Sequence, residues 1–280
     1  MIEIKNLTFS YKGSKETALK DVSLSVSDGD FLGIIGTSGA GKTTLALAIN
    51  GIVPHEYPGD FYGAVLVDGM DTVDNIPESF SPKVAEVFQN IDSQMVASVV
   101  EDEILFGLEN FGIPHDEIGE RLDRVLNELG IADLKEREIS SLSGGQKQKV
   151  AIASILALEP EIMVLDEPTG ELDPESSIEI FELLKRLNEE KGITIIVVEQ
   201  KIMLLCKYAR HLLVMEDGEK IFDGNTREAV SNVKLFKEAG INVPPVATLA
   251  TILKDDGLYD GIIPLNTDEA ETMVKEVTGK

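Results

Sequence analysis

The nine residues "GTSGAGKTT" (residues 36–44) follow the continuous apolar run "FLGIIG" and open the helical segment "LALAIN". The pattern G-x-x-x-x-G-K-[ST], set between a buried strand and a helix, predicts a loop that binds nucleotide phosphates. Its glycines let backbone N–H groups curl around the phosphates, and the N-terminus of the following helix adds partial positive charge. The alternative is a glycine-rich turn that serves only the fold. We expect the whole phosphate loop to bind nucleotide: Gly36, Thr37, Ser38, Gly39, Ala40, Gly41, Lys42, Thr43 and Thr44.

Two side chains of this phosphate loop and two acids later in the chain predict chemistry on ATP. Lys42 is placed to reach the β- and γ-phosphates, and the Thr43 hydroxyl to ligate Mg²⁺. The stretch "IMVLDEPTGELD" (residues 162–173) ends an apolar strand in two acids, Asp166 and Glu167. We expect Asp166 to hold Mg²⁺ directly or through water, and Glu167 to polarise the water that attacks the γ-phosphate. Either acid alone fits a helix cap, but the pair after an apolar strand favours catalysis.

The order of strand-like and helix-like segments predicts an α/β fold. Period-two alternation in residues 2–11 and 18–26 indicates an antiparallel layer in the first third of the chain. Apolar runs at residues 84–88, 162–166 and 194–198 are separated by helical patterns. That order predicts a core with a parallel sheet.

The same pass along the chain predicts its division into parts. The segment between the second and third core strands is almost wholly helical, which predicts a helical subdomain at about residues 90–158. Asp217 and Gly218 predict the turn of a hairpin. We therefore divide the chain into a main domain of residues 1–225 and a small helical C-terminal region of residues 226–280.

The composition is that of an ordinary globular chain, with 43% hydrophobic and 27% charged residues. Its 25 Lys plus Arg against 50 Asp plus Glu give a net charge of −25, which repels phosphate backbones, so nucleic acid is not an expected partner. The single cysteine, Cys206, is expected to be buried and reduced. No apolar run approaches the roughly 20 residues of a membrane span. The first residues also lack the apolar segment of a signal peptide, so we expect a cytoplasmic chain.

A third motif, "LSGGQ" (residues 142–146, the signature loop), stands just before an amphipathic helix. By itself it would be no more than a helix cap. Together with the phosphate loop and the acidic strand end, it makes residues 1–225 resemble the ATP-binding-cassette (ABC) ATPases. The resemblance implies a P-loop NTPase core with an antiparallel β subdomain, an inserted helical subdomain and a small C-terminal helical appendix. It also implies a dimer in which the signature loop of one subunit closes over ATP held by the phosphate loop of the other.

The resemblance further implies roles for single residues. Ser143, Gly145 and Gln146 would contact the γ-phosphate across the dimer interface. Tyr11 would stack on adenine, the alternative being a tyrosine on the sheet surface. Gln89 would sense Mg²⁺ and the attacking water. The residues that the resemblance places at the dimer interface are Leu142, Ser143, Gly144, Gly145, Gln146 and, in "GELD", Asp173.

Gln200 departs from the family pattern, because it ends the strand-like "TIIVV" where ABC ATPases normally have a switch histidine. With Glu167 it forms the predicted catalytic pair. A glutamine hydrogen-bonds a phosphate oxygen or the water, but it carries no positive charge and does not exchange a proton. We therefore expect slow hydrolysis. The histidines of this chain, His55, His115 and His211, lie elsewhere in the sequence and are expected to be exposed or capping residues.

The branch of the family is indicated by residues 87–114, which resemble the corresponding stretch of energy-coupling-factor (ECF) ATPases, and by residues 237–253, which resemble their tail. This resemblance implies uptake of cobalt, nickel or a vitamin, with ATP and Mg²⁺ as cofactors. The implied partners are a second ABC ATPase, identical or related, a transmembrane coupling subunit and a substrate-binding membrane subunit. The chain would then lie peripherally at the cytoplasmic face of the membrane. We expect residues 90–113 to dock on the membrane subunits, unless their apolar side chains simply fill the helical subdomain.

Two other classes of ABC ATPase share the phosphate and signature loops. A DNA-repair ATPase would need a long coiled-coil insert, which does not fit between residues 90 and 140. A soluble translation-factor ATPase usually carries two cassettes in one chain, and this chain has one. Both classes remain alternatives to the transport motor.

Overall fold

The computed structural model of the chain describes residues 1–80 and 83–279. Its strands form two sheets, one of six strands in the order β10-β9-β3-β8-β7-β6 and one of four in the order β2-β1-β4-β5. In chain order the strands are β1 Ile2–Tyr11, β2 Leu19–Val26, β3 Phe31–Gly36, β4 Gly59–Val67, β5 Met70–Asp71, β6 Val84–Val87, β7 Ile162–Asp166, β8 Thr194–Val198, β9 His211–Glu216 and β10 Glu219–Asn225.

Helices lie between β3 and β4, between the successive strands from β6 to β9, and in most of the C-terminal region. In chain order they are α1 Lys42–Ile49, α2 Ile52–His55, α3 Ile91–Gln94, α4 Val100–Asn110, α5 His115–Glu128, α6 Gly144–Leu156, α7 Pro174–Lys191, α8 Ile202–Tyr208, α9 Thr226–Ser231, α10 Val233–Glu238, α11 Pro245–Asp255 and α12 Thr267–Thr278.

The six-stranded sheet is parallel from β9 through β6, and β10 joins it antiparallel. Its central strands β3, β7 and β8 are buried at every residue, because both faces of the sheet are covered there. In β8, Ile195 and Val197 enter one apolar cluster with the helices, whereas Ile196 and Val198 enter a second cluster that includes α1 and the antiparallel sheet. The predicted parallel core is therefore confirmed.

The antiparallel layer and the hairpin predicted from the sequence are also confirmed. β1 pairs antiparallel with β2 and β4 in the four-stranded sheet. Asp217 and Gly218 both have positive φ, 47° and 82°, which is the backbone of a tight two-residue turn between β9 and β10. This hairpin closes one edge of the parallel sheet.

Helices α3 to α6 lie between β6 and β7 in the chain, although these two strands are neighbours in the sheet. α5 is amphipathic and buries Ile118, Leu122, Val125 and Leu126. α6 packs against α4 on one side and against β6 on the other. The helical insert is thus joined to the sheet along α6 as well as through the chain that follows β6.

The C-terminal helices α9 to α12 share the large apolar cluster of the parallel sheet, to which they contribute Phe236, Ala250 and Met273. In the turn after α10, a Cβ atom at Gly240 would lie 3.6 Å from Cγ2 of Thr37 in the phosphate loop. The C-terminal region, expected to be a small appendix, is therefore packed on the core, and its Gly240 lies close to the loop expected to bind nucleotide.

Candidate active site

The phosphate loop lies between the end of β3 and the start of α1, and two of its glycines are sterically required. A Cβ atom at Gly36 would lie 2.4 Å from the carbonyl oxygen of Met215. Gly41 has a φ of 93°, and a Cβ atom there would lie 2.5 Å from the oxygen of Ala18. These close approaches hold the loop between β9 and the segment that leads into β2.

Lys42 points into the phosphate loop and not out to solvent, since it is only 5% exposed. Its ammonium donates hydrogen bonds of 2.9 Å to the carbonyl oxygens of Gly36 and Thr37. Burial lowers the pKa of Lys42, and the carboxylates of Glu167 and Asp166 act in the opposite direction. The loop therefore presents a cation surrounded by backbone groups, as the predicted contact with phosphate oxygens requires.

Asp166 is the last residue of β7 and is almost completely buried. Burial raises the pKa of its carboxyl, the nearby Thr43 hydroxyl lowers it, and the charge of Glu167 raises it further. Its Oδ1 atom is inaccessible and has no hydrogen-bond partner among the described residues. A hydroxyl beside a carboxylate with an unpaired oxygen is a set of hard oxygen ligands, so Thr43 and Asp166 fit Mg²⁺.

Glu167 has a left-handed backbone, with a φ of 49° that is unusual for a residue with a Cβ atom. Its N–H donates to the oxygen of Val198 over 2.8 Å, which fixes this turn against β8. The carboxylate accepts two amide hydrogen bonds, from Gln89 Nε2 to Oε2 at 2.9 Å and from Gln200 Nε2 to Oε1 at 2.6 Å. The structure thus brings together three residues predicted for the site from the ends of β6, β7 and β8.

A cavity of about 390 Å³ joins these groups. The phosphate loop forms one side, and Glu167, Gln89 and Gln200 form the other. Tyr11 lies at its rim, where its hydroxyl shares a hydrogen bond of 3.0 Å with Thr44. The lining also includes four residues of the segment after Tyr11: Ser14, Glu16, Thr17 and Ala18. No sequence motif marks them, and only their closeness to Tyr11 in the sequence could have indicated them.

The signature loop lies apart from this cavity, whose described lining does not include it. Ser143 caps α6 in a reciprocal capping box: its N–H donates to Gln146 Oε1 at 3.0 Å, and its hydroxyl accepts from the Gln146 N–H at 3.3 Å. Ser143 and Gly144 are exposed. Asp173 is also exposed and caps α7 by accepting from the N–H groups of Glu175 and Ser176.

Leu142, which the family resemblance places at the dimer interface, is mostly buried in its own chain. Its side chain is 7% exposed and belongs to the large apolar cluster. The residue before a helix cap often anchors the entering chain in the core, and Leu142 does so for α6. At the predicted dimer interface, Leu142 would therefore contact the second subunit mainly through its backbone.

The three histidines lie outside the cavity, as expected. His55 shares a hydrogen bond of 2.9 Å with the oxygen of Thr72, and His115 begins α5. His211 differs from the expectation of an exposed or capping residue, because its ring lies between Asp30, at 3.1 Å, and Asp223, at 2.6 Å. These two aspartates raise the pKa of His211 to about 9.

Comparison with known proteins gives a consistent result. The family described as "ABC transporter" matches residues 19–170. The energy-coupling factor transporter ATP-binding protein EcfA1 of Clostridioides difficile is 38% identical over 96% of each chain.

Two solved structures resemble the chain as well. The first is cbiO1 from Clostridium perfringens, described as part of the ABC transporter complex cbiONQ; it has a TM-score of 0.76 and 32% identity, covering 89% of this chain and 97% of that one. The second is a dimeric ATP-binding cassette in a post-hydrolysis state bound to ADP and Pi; it has a TM-score of 0.71 and 30% identity, covering 81% of this chain and 99% of that one.

Proposed function

The chain belongs to the ABC transporter ATPases, and from that membership we propose that it is the motor subunit of an ECF-type importer. In this proposal ATP binding closes a dimer of ATPases, and closure drives uptake of cobalt, nickel or a vitamin through membrane subunits. The observation that carries the proposal is the convergence of Lys42, Glu167, Gln89 and Gln200 on one cavity. Asp166 lies directly behind it, beside Thr43 and Lys42. The likeness to EcfA1 along nearly the whole chain supports the ECF branch.

The site residues take the following roles in the proposed hydrolysis. Lys42 exchanges its two backbone carbonyl partners for phosphate oxygens, which a charged donor binds strongly. Glu167, held by two amides, orients the attacking water. Thr43 and Asp166, with Gln89, would hold Mg²⁺, which would neutralise charge on the phosphate oxygens. The ring of Tyr11, at the rim of the cavity, stacks on the adenine of ATP.

A second ABC ATPase, another copy or a related chain, completes each site in this proposal. Ser143, Gly145 and Gln146 lie outside the cavity of their own chain and are at least partly exposed, so their contact with a γ-phosphate requires a second subunit. Gly144 and Asp173 are exposed with them, and these residues form the proposed interface. The dimeric cassette bound to ADP and Pi supports this arrangement.

The proposed docking surface for the membrane subunits is the apolar part of the helical insert. Val100, Ile104 and Leu108 of α4 fill the core, as the alternative explanation of this segment requires. Val96 and Phe106 do not, since they are 66% and 46% exposed. In residues 1–80 and 83–279 there is no helix long and apolar enough to cross a membrane. Within the proposed importer, the chain would lie at the cytoplasmic face of the membrane and attach peripherally through Val96 and Phe106.

The alternatives differ from the proposal in observable features. A DNA-repair ATPase would carry a long coiled coil between β6 and β7, whereas the longest described helix of this insert, α5, has 14 residues. A translation-factor ATPase would usually contain a second cassette. The net charge of −25 also disfavours binding to nucleic acid.

Purification of the tagged chain from solubilised membranes, with identification of the bound subunits, tests the proposal. We expect integral membrane subunits of an importer, and recovery of only ribosomal or DNA-bound proteins would refute it. Phe106→Glu should release the membrane subunits while leaving ATP binding unchanged. The matched control is Ile76→Glu, which places the same charge at a residue that is 59% exposed and lies outside the helical insert.

A further inference from the structure

Lys201 follows directly after the residue that holds Glu167, and its ammonium uses three hydrogen bonds inside its own chain. Nζ donates to the oxygen of Thr169 at 2.6 Å, to the oxygen of Leu172 at 3.2 Å and to Oγ of Ser177 at 3.0 Å. An ammonium has three protons, so these contacts use its full donor capacity. Lys201 therefore fastens the acidic loop (residues 167–173) and the first turn of α7 to the end of β8.

The neighbouring Glu199 strengthens the same connection from inside the protein. It is only 1% exposed, and its Oε2 accepts the Thr169 hydroxyl at 2.5 Å. Its Oε1 accepts the N–H groups of Gln200 and Lys201 at 2.8 and 3.1 Å. A buried carboxylate with this many donors is stable only in one arrangement, so the backbone that presents Gln200 and Lys201 is fixed.

The acidic loop carries groups of both halves of the proposed composite site. Glu167 stands at its start in the cavity, and Leu172 lies near its end. A Cβ atom at Gly144 would lie 3.1 Å from Cδ2 of Leu172, so the signature loop packs directly on the acidic loop. Movement of the acidic loop would therefore displace both the carboxylate and the support of the signature loop.

We propose that Lys201 is a positioning residue for ATP hydrolysis, which holds the acidic loop so that Glu167 stays between Gln89 and Gln200. The proposal rests on the role of Glu167 assigned above. Lys201 does not line the cavity within the described residues, so it acts through the loop and not on the nucleotide. Without its ammonium, two carbonyl oxygens lose their donor and the loop is free to shift. A misplacement of about 1 Å costs up to about 100-fold in rate.

The test is Lys201→Met, which keeps the length of the side chain and removes the donors. We expect kcat to fall at least about tenfold with KM for ATP within about twofold, because a positioning defect lowers the rate without changing ground-state binding. Lys201→Arg, which restores a charged donor, should recover most of kcat. The matched control is Lys185→Met on the exposed side of α7, which should leave kcat unchanged.

A second readout separates positioning from a general loss of structure. In a Glu167→Gln background, Lys201→Met should reduce the fraction of ATP-bound dimer seen by size-exclusion chromatography, because the signature loop loses its support. If Lys201→Met does not fold, Ser177→Ala removes one of the three contacts and should lower kcat in the same direction by a smaller factor. Unchanged kcat in these variants, or equal changes in kcat and KM for Lys201→Met, overturns the proposal. Full activity of Glu167→Gln alone would instead overturn the assigned role of Glu167.

Discussion

Gln200 donates its Nε2–H to Oε1 of Glu167 over 2.6 Å, although the two residues lie 33 positions apart. The contact arises because Glu167 follows β7 and Gln200 follows β8, and these strands are parallel neighbours paired from Ile162 and Thr194 onward. A neutral amide thus occupies the place beside the carboxylate where a histidine was expected from the family pattern. The amide orients the carboxylate but brings no positive charge to the γ-phosphate.

Gln200→His should therefore accelerate hydrolysis by the purified chain. The transition state of phosphoryl transfer concentrates charge on phosphate oxygens, and a charge-assisted donor stabilises it more than an amide does. By analogy with removal of one oxyanion donor, the gain is on the order of 100-fold in kcat. Steady-state release of phosphate measures it, and Glu167→Gln in the same background should abolish the gain.

The same reasoning predicts that the unmodified chain is slow by itself and that a paired ATPase with the usual histidine provides the faster site. Brisk turnover by the lone chain, together with no response to Gln200→His, would show that glutamine serves the reaction well. In that case the chain works as a homodimer with two equivalent sites.

Lys42→Ala should remove ATP binding with little effect on the fold. Hydrogen bonds to charged groups contribute about 1.5–3 kcal/mol each, so losing the ammonium should weaken affinity by about 100-fold or more. Isothermal calorimetry with Mg-ATP measures the loss, and far-UV circular dichroism checks the fold. Lys234→Ala is the control, because its side chain is 82% exposed and lies in α10. Equal affinities of Lys42→Ala and the parent would remove the phosphate loop from the nucleotide site.

Sequence patterns were sufficient to predict those parts of the fold and site that depend on local spacing. The phosphate loop between a buried strand and a helix is one example, and the acids at the end of β7 are another. Gln89 and Gln200 were assigned to the site from the family resemblance. In the structure they meet Glu167 because parallel strands bring their carboxyl ends to one edge of the sheet.

Long-range side-chain contacts were not predictable in this way. The pairing of His211 with Asp30 joins residues 181 positions apart, and the approach of Gly240 to Thr37 brings the C-terminal region to the phosphate loop. The hydrophobic periodicity of the sequence does not indicate such contacts. The burial of Leu142 is a further example, because its apolar side chain enters the core although the residue belongs to the signature loop. From the sequence alone Lys201 is likewise indistinguishable from a surface lysine, because its three hydrogen-bond acceptors lie 24 to 32 positions away.

The ion-paired His211 should make stability depend on pH in the alkaline range. Its folded pKa of about 9 lies above the ordinary value of 6.5, so the folded state binds the proton more tightly. The stabilisation of the folded state by the His211 ion pairs is fully present below about pH 6.5 and is lost as the pH rises through about 9. His211→Gln should therefore lower Tm clearly at pH 6 and progressively less toward pH 9.5, as measured by scanning calorimetry. His115→Gln, at an exposed position, is the control. A constant difference in Tm at all pH values would contradict this assignment.

Glu86 in β6 should produce a second pH dependence, in a lower window. Its Oε1 atom is inaccessible and has no partner among residues 1–80 and 83–279, while Oε2 accepts from the side-chain amide of Asn50. Burial raises the pKa of Glu86 from 4.5 to about 8, and the nearby Asp166 adds to the rise. The carboxyl is therefore protonated in the folded chain at neutral pH and ionised in the unfolded chain.

The sign of the effect follows from this difference. Below pH 4.5 Glu86 is protonated in both the folded and the unfolded chain, so it does not change the free energy of unfolding. Between pH 4.5 and about 8 the chain must take up a proton to fold, so the free energy of unfolding falls as the pH rises. Above about pH 8 this loss of stability is constant. Each pKa unit corresponds to about 1.4 kcal/mol, so the loss reaches a few kcal/mol.

Glu86→Gln has the same shape and never ionises. Its Tm should match the parent near pH 4.5 and exceed it by a margin that grows until about pH 8. Glu190→Gln, at an exposed position of α7, should show no such trend. A gain in Tm for Glu86→Gln that is equal at pH 5 and pH 9 would mean that packing, and not ionisation, separates the two side chains.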